Sequence, residues 1–101
     1  MKLNEFARTV DAEDITPSTM NAETLYVVPD GYHGQTCVGF LCPCGCGGFH
    51  LLPTYRPGEK KSISPGWEME RVGDKVTLHP SLLNGCGAHF FIRDNKIIWC
   101  Q

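Results

Sequence analysis

The stretch FLCPCGCGGFH, residues 40–50, sets Cys42, Cys44 and Cys46 at alternate positions, with Pro43 and Gly45 between them. Thiols packed this closely suit a metal ion. In a regular strand, side chains two residues apart lie about 6.6 Å from each other on one face. Sulfurs sharing one zinc must approach to about 4 Å, because each Zn–S bond is only about 2.3 Å long. A straight strand therefore fails to chelate with all three. Proline and glycine are the residues that bend such a strand into a tight loop, and Gly47 and Gly48 extend that freedom. Backbone amides in such a loop can also point at the thiolates. The fourth ligand must come from elsewhere, and the segment GCGAH offers Cys86 and His89. Two ligand sets stay open: Cys42, Cys44, Cys46 and Cys86 together, or His89 in place of one cluster cysteine.

The six cysteines argue for a metal rather than for disulfides. Half of them crowd into five positions, and the N-terminus MKLNEFARTVDAED has no apolar core of a secretory signal. Thiols in a cytoplasmic protein stay reduced, and the chain reads as cytoplasmic. Cys37 and Cys100 sit among apolar neighbours, where a thiol fills space. Iron is the rival metal, but the Cys-x-His element that accompanies a Rieske-type cluster loop is missing. Mononuclear Zn2+ is the expected cofactor. With four thiolates it carries a net charge of about −2, which Arg93 or Lys96 would offset.

A second chemistry lies in VTLHPSLLNGCGAHFFI. A serine hydroxyl attacks a carbonyl only with a base beside it, and Ser81 has His79 and His89 as candidates. The spacing to His89 permits contact across a loop. Glycine-flanked amides near Cys86 would serve as oxyanion donors, and Asp74, Glu68 or Asp94 as the third member. A purely structural reading is complete too: Pro80 starts a turn, Ser81 caps one helical turn, and Asn84-Gly85 closes it. His33 and His50 read as surface or half-buried residues.

The elements that must position these groups are short strands. TLYVVP (24–29) is stopped by turn chemistry, TCVGFLC (36–42) leads into the cysteines and FHLLPTYR (49–56) leads out. RPGEKKSISPG (56–66) is a polar loop. WEMERV-GD-KVTLHP (67–80) and HFFIR-DN-KIIWC (89–100) are hairpins whose turn residues tolerate positive φ. Six or seven strands and at most one helix make a mainly β, single-domain antiparallel sheet or half-open barrel with a cysteine-rich metal site. Residues 1–23 form an N-terminal arm, either a short helix over NEFARTV and a loop or a loosely ordered segment, and residues 24–101 form the metal-binding domain. With 101 residues, such a chain gains from a metal staple. The net charge of −2 offers no basic face for nucleic acid, and no apolar run is long enough to span a membrane.

CPCGCG, then Trp67, VTLHPSLL, CGAHFFI and a closing KIIW resemble a family of small bacterial and phage zinc-binding domains of formerly unknown function. Its members stand in operons of bacterial ubiquitin-like conjugation systems tied to antiphage defence. The resemblance covers about residues 24 to 100. It implies a metal held by Cys42, Cys44, Cys46 and Cys86, and a peptidase that processes or deconjugates a ubiquitin-like partner with Ser81 and His89. A non-catalytic zinc-binding adaptor for the same system is the alternative, and an iron–sulfur or redox protein is the third reading.

Overall fold

The computed structural model describes residues 2–32, 34–59 and 66–100. His33 and part of the 56–66 loop lie outside them. The strands are β1 (Arg8–Asp11), β2 (Thr24–Tyr32), β3 (Gln35–Leu41), β4 (Phe49–Tyr55), β5 (Trp67–Val72), β6 (Lys75–Leu83), β7 (His89–Arg93) and β8 (Lys96–Trp99). They follow one another in sequence order across a single sheet that does not close into a barrel. Most pairs are antiparallel, while β1–β2 and β4–β5 are parallel. The sole helical piece among the described residues is one 3-10 turn, Pro17–Thr19.

The sheet folds over on itself around Phe6, Leu25, Val27, Val38, Phe40, Leu52, Val76, Leu78, Leu82, Phe90, Ile92 and Ile97. Alternation dictates which residues enter. Leu82, Phe90 and Ile92 face inward, while Leu83, Phe91 and Arg93 face outward. Among the described residues its two halves, β1–β4 and β5–β8, are joined by two strand register pairs, Thr54↔Trp67 and Tyr55↔Glu68. The N-terminal segment straps the open side. Phe6 N donates to Asn95 O and Ile97 N to Asn4 O, both at 2.8 Å, and β1 then runs on beside β2.

Residues 4–10 are thus extended rather than helical. Phe6 is fully buried among the core residues, and the backbone there bonds to Asn95 and Ile97 instead of to itself. Two other expectations also fail locally. β2 does not stop at Pro29 but continues to Tyr32 through a register shift after Val28. Pro80 and Ser81 do not start a helical turn; β6 runs through them to Leu83. Its register with β7 shifts between Leu78↔Ile92 and Leu82↔Phe90, a bulge that absorbs a proline's missing donor. The His79–Pro80 peptide is cis. Gly39, midway along β3, lies directly under the Ile15 side chain, so any Cβ there would collide with it.

Both hairpins form as read. The β7–β8 turn is Asp94-Asn95 with φ of 51° and 67°, and the β5–β6 turn is Gly73-Asp74 with Gly73 at 63°. Asn95 is also fully buried. Its Oδ1 accepts from Val76 N at 2.7 Å, and its Nδ2 donates to Asp74 O at 2.8 Å and Thr9 Oγ1 at 3.2 Å. One amide side chain therefore ties together both hairpin tips and β1.

Candidate functional site

The cysteine loop joins β3 to β4. Cys42 N donates to Gly48 O at 2.7 Å and Gly45 N to Cys42 O at 3.1 Å, with Gly45 and Gly47 at φ of 90° and 80°. These bonds turn the chain back on itself, so the thiols converge instead of marching along a strand. The loop from β6 to β7 brings the fourth. Asn84 N donates to Ala88 O and Gly87 N to Asn84 O, holding Cys86 at the tip.

The four sulfurs of Cys42, Cys44, Cys46 and Cys86 all lie within 4.8 Å of one another. Cys42–Cys44 is 3.3 Å, Cys42–Cys86 3.6 Å and Cys44–Cys86 3.7 Å. Tetrahedral zinc needs sulfur–sulfur separations of roughly 3.7–3.8 Å, so the donor set fits a four-thiolate ion with little adjustment. Asn84 Nδ2 donates to the Cys42 sulfur at 3.3 Å and Gly48 N to the Cys46 sulfur at 3.4 Å. Donors of this kind spread the negative charge of thiolates. Asn84 reads in sequence as a mere turn residue, so its contact with sulfur was not foreseen. Arg93 and Lys96 lie at the far end of the β7–β8 hairpin. Lys2 is the cation that shares a cleft with Cys44 and Cys86.

The thiols differ sharply in acidity. Burial pushes Cys42 up to about 12. Cys44, accepting a hydrogen bond from Cys42 and another from Cys46, falls to about 7. For Cys46 the Gly48 amide pulls downward, but the hydrogen bond to Cys44 together with burial leaves it raised.

Ser81 Oγ lies 2.9 Å from His89 Nε2. The contact is diagonal. His89 stands opposite Leu83 on β7, two residues further along β6 than Ser81, and all three project from the outer face. His79 turns elsewhere, toward Glu70 at 3.8 Å. His89 therefore faces the serine and is not among the clustered metal-binding groups. Among the described residues no carboxylate bonds to His89: Asp94 is occupied with Thr77, and Asp74 and Glu68 lie along the β5–β6 hairpin. The Gly87 amide is consumed within its loop by Asn84 O at 2.9 Å. A cleft of about 260 Å³ opens beside His89, lined by Lys2, Cys44, Cys86, Ala88, Trp99 and Cys100. The cysteine cluster and the serine–histidine pair thus share one end of the molecule, with Cys86 in the loop that leads directly into His89 at the start of β7.

Of the remaining candidates, Cys37 is fully buried and fills space in β3. His50 packs its ring against Phe40 at 5.4 Å. Its Nε2 is buried without a partner, and desolvation holds its pKa below the ordinary value. None of the helices among the described residues is long and apolar enough to cross a membrane.

A family model described as "Bacterial ubiquitination-like system serine protease (BubE)" matches residues 12–100. Comparison with curated proteins and with solved structures gives no match.

Proposed function

The chain belongs to the BubE family of serine proteases of bacterial ubiquitination-like systems, and from that premise we propose that Ser81 is its nucleophile and His89 its general base. The observation that carries this reading is the 2.9 Å contact between Ser81 Oγ and His89 Nε2. With the imidazole proton on Nδ1, Nε2 accepts the serine proton as Oγ bonds to the carbonyl carbon of the scissile amide. Collapse of the tetrahedral adduct breaks the C–N bond, and His89 returns the proton to the departing amine. A water molecule, deprotonated by the same nitrogen, then splits the acyl ester and restores Ser81. The substrate in this reading is a ubiquitin-like protein, as a precursor or a conjugate, and the setting is the bacterial cytoplasm in defence against phage.

Zinc on Cys42, Cys44, Cys46 and Cys86 has a structural part in this scheme. Four thiolates leave no open coordination position, and so the ion's contribution is to fix the loop that carries Cys86 and leads, three residues on, into His89 at the start of β7. The test is cleavage of the ubiquitin-like precursor by wild-type protein, Ser81→Ala and His89→Ala, with metal content measured on each. Both variants should retain metal and fold while losing activity by about a thousandfold or more. A folded Ser81→Ala protein that cuts at the wild-type rate ends the proposal. Tight binding of the precursor with no cleavage by the wild type would favour the adaptor.

A further inference from the structure

His50 enters β4 directly after the cysteine loop, which the bond from Cys42 N to Gly48 O closes two residues earlier. It shares strand parity with the buried Leu52 and Thr54, so its side chain is turned inward. On β3 it pairs with Phe40, and the two rings touch with centroids 5.4 Å apart. Phe40 is itself fully buried and meets Phe6 and Phe90 edge to face. The core thus holds the imidazole from one side, and the cysteine loop lies on the other.

A methyl group on Gly48 would lie 3.3 Å from the Cys46 sulfur, 3.7 Å from His50 Nε2 and 3.9 Å from Cys42 Cβ. The nitrogen and the sulfur therefore flank one small space, which is open because residue 48 has no side chain. Unlike Gly45 and Gly47, Gly48 does not adopt a positive φ, so backbone conformation does not account for a glycine there. Nε2 is buried, and among the described residues it has no hydrogen-bond partner. A buried polar atom left bare is costly, and the chemistry of Cys46 supplies a reason to tolerate it. A neutral thiol is a weak acceptor, whereas a thiolate takes a charge-assisted hydrogen bond. Gly48 N already donates to this sulfur at 3.4 Å, and a second donor from the imidazole side would take up more of its charge.

We infer that His50 is a positioning residue of the metal site: it carries its proton on Nε2 and donates a hydrogen bond, across the space above Gly48, to the Cys46 sulfur when that sulfur is a metal-bound thiolate. The inference rests on the four-thiolate site and is independent of the peptidase reading. Its test uses the full chain loaded with Zn2+ and, separately, with Co2+. In the isotope-labelled zinc form, long-range proton–nitrogen NMR spectra should show His50 protonated on Nε2 and bare on Nδ1. His50→Phe keeps a ring against Phe40 but removes the donor, so the metal should pass to a colorimetric chelator about tenfold faster or more. His50→Gln restores a side-chain N–H and should release it within about threefold of the wild-type rate. The sulfur-to-Co2+ charge-transfer bands should shift in His50→Phe and return in His50→Gln, a reversal that lost packing alone does not give. A zinc form with the proton on Nδ1 overturns the inference, as does a His50→Phe protein with wild-type release and wild-type bands. The tautomer is read on the wild type, so it decides the matter if His50→Phe misfolds. A wild-type protein that holds neither ion through its thiols overturns the four-thiolate site and this inference with it, while cleavage by Ser81 is measured separately.

Discussion

Cys42 and Cys44 differ by two positions and fall on opposite sides of the ordinary thiol value of 9.0, burial pushing the first up to about 12 and hydrogen bonds from Cys42 and Cys46 drawing the second down to about 7. One sulfur is desolvated while its neighbour collects hydrogen bonds. Metal uptake must expel the thiol protons. Cys42 and Cys46 both lie above the ordinary thiol value of 9.0, so at least two protons leave at neutral pH. Only the deprotonated sulfurs bind, so affinity falls as pH falls. The apparent Kd for zinc should rise about a hundredfold or more for each unit of pH lost between about pH 8 and about pH 6. A chelator-competition titration measures this, and a slope below about tenfold per unit would show that fewer than two sulfurs are ligands. Asn84 belongs to the same scale. Asn84→Ala removes the 3.3 Å donor to the Cys42 sulfur, and the metal should dissociate about tenfold faster or more from that variant, measured by transfer to a colorimetric chelator.

At the level of elements, the hairpins were legible because their turns are local. Gly73-Asp74 and Asp94-Asn95 tolerate the backbone their turns need, whatever surrounds them. The cysteine loop was legible for the same reason, since Pro43 and Gly45 act within it. What escaped depends on distant partners. β1 forms because β2 supplies an edge, and Pro80 stays in a strand because the bulge against β7 accommodates it. The eight-residue spacing from Ser81 to His89 left their contact open; the diagonal placement across β6 and β7 closes it. Asn95 is the clearest case. Its turn role shows in sequence, but its buried bonds to Val76, Asp74 and Thr9 come from three separate elements. Asn95→Ala strands Val76 N and should destabilise the fold by at least about 2 kcal/mol in denaturant unfolding. Asn95→Gly tolerates the φ of 67° but loses the same bonds, so it should recover only a small part of that loss. Full recovery by glycine would mean that conformation, rather than bonding, makes Asn95 necessary.

For the whole molecule, the decisive fact is how thinly the two halves of the sheet are joined. Among the described residues two register pairs link β4 to β5, and the N-terminal strap spans the opposite side. The cysteine cluster is a further connection, because Cys42, Cys44 and Cys46 belong to the β3–β4 loop and Cys86 to the β6–β7 loop. A bound ion would close a loop of 44 residues between Cys42 and Cys86. On the entropy scaling used for disulfides, such a closure contributes about 4 kcal/mol. For a small domain that is a large share of the net stability, typically about 5–15 kcal/mol. Metal removal should therefore act in two stages. The loop from Asn84 to Ala88 loosens first, since the metal holds Cys86, and His89 drifts from Ser81 while the core around Phe40 and Phe90 still holds. Activity should then fall in proportion to metal content under mild chelation, before far-UV circular dichroism changes. Amide exchange should accelerate at residues 84–90 ahead of β2 and β3. Cys86→Ser should match the chelated protein in both respects, with a thermal midpoint lowered by about 10 °C or more. If chelation removes the metal and cleavage continues unchanged, the cluster is a staple for the sheet alone, and the serine–histidine geometry is held by β6 and β7 without it.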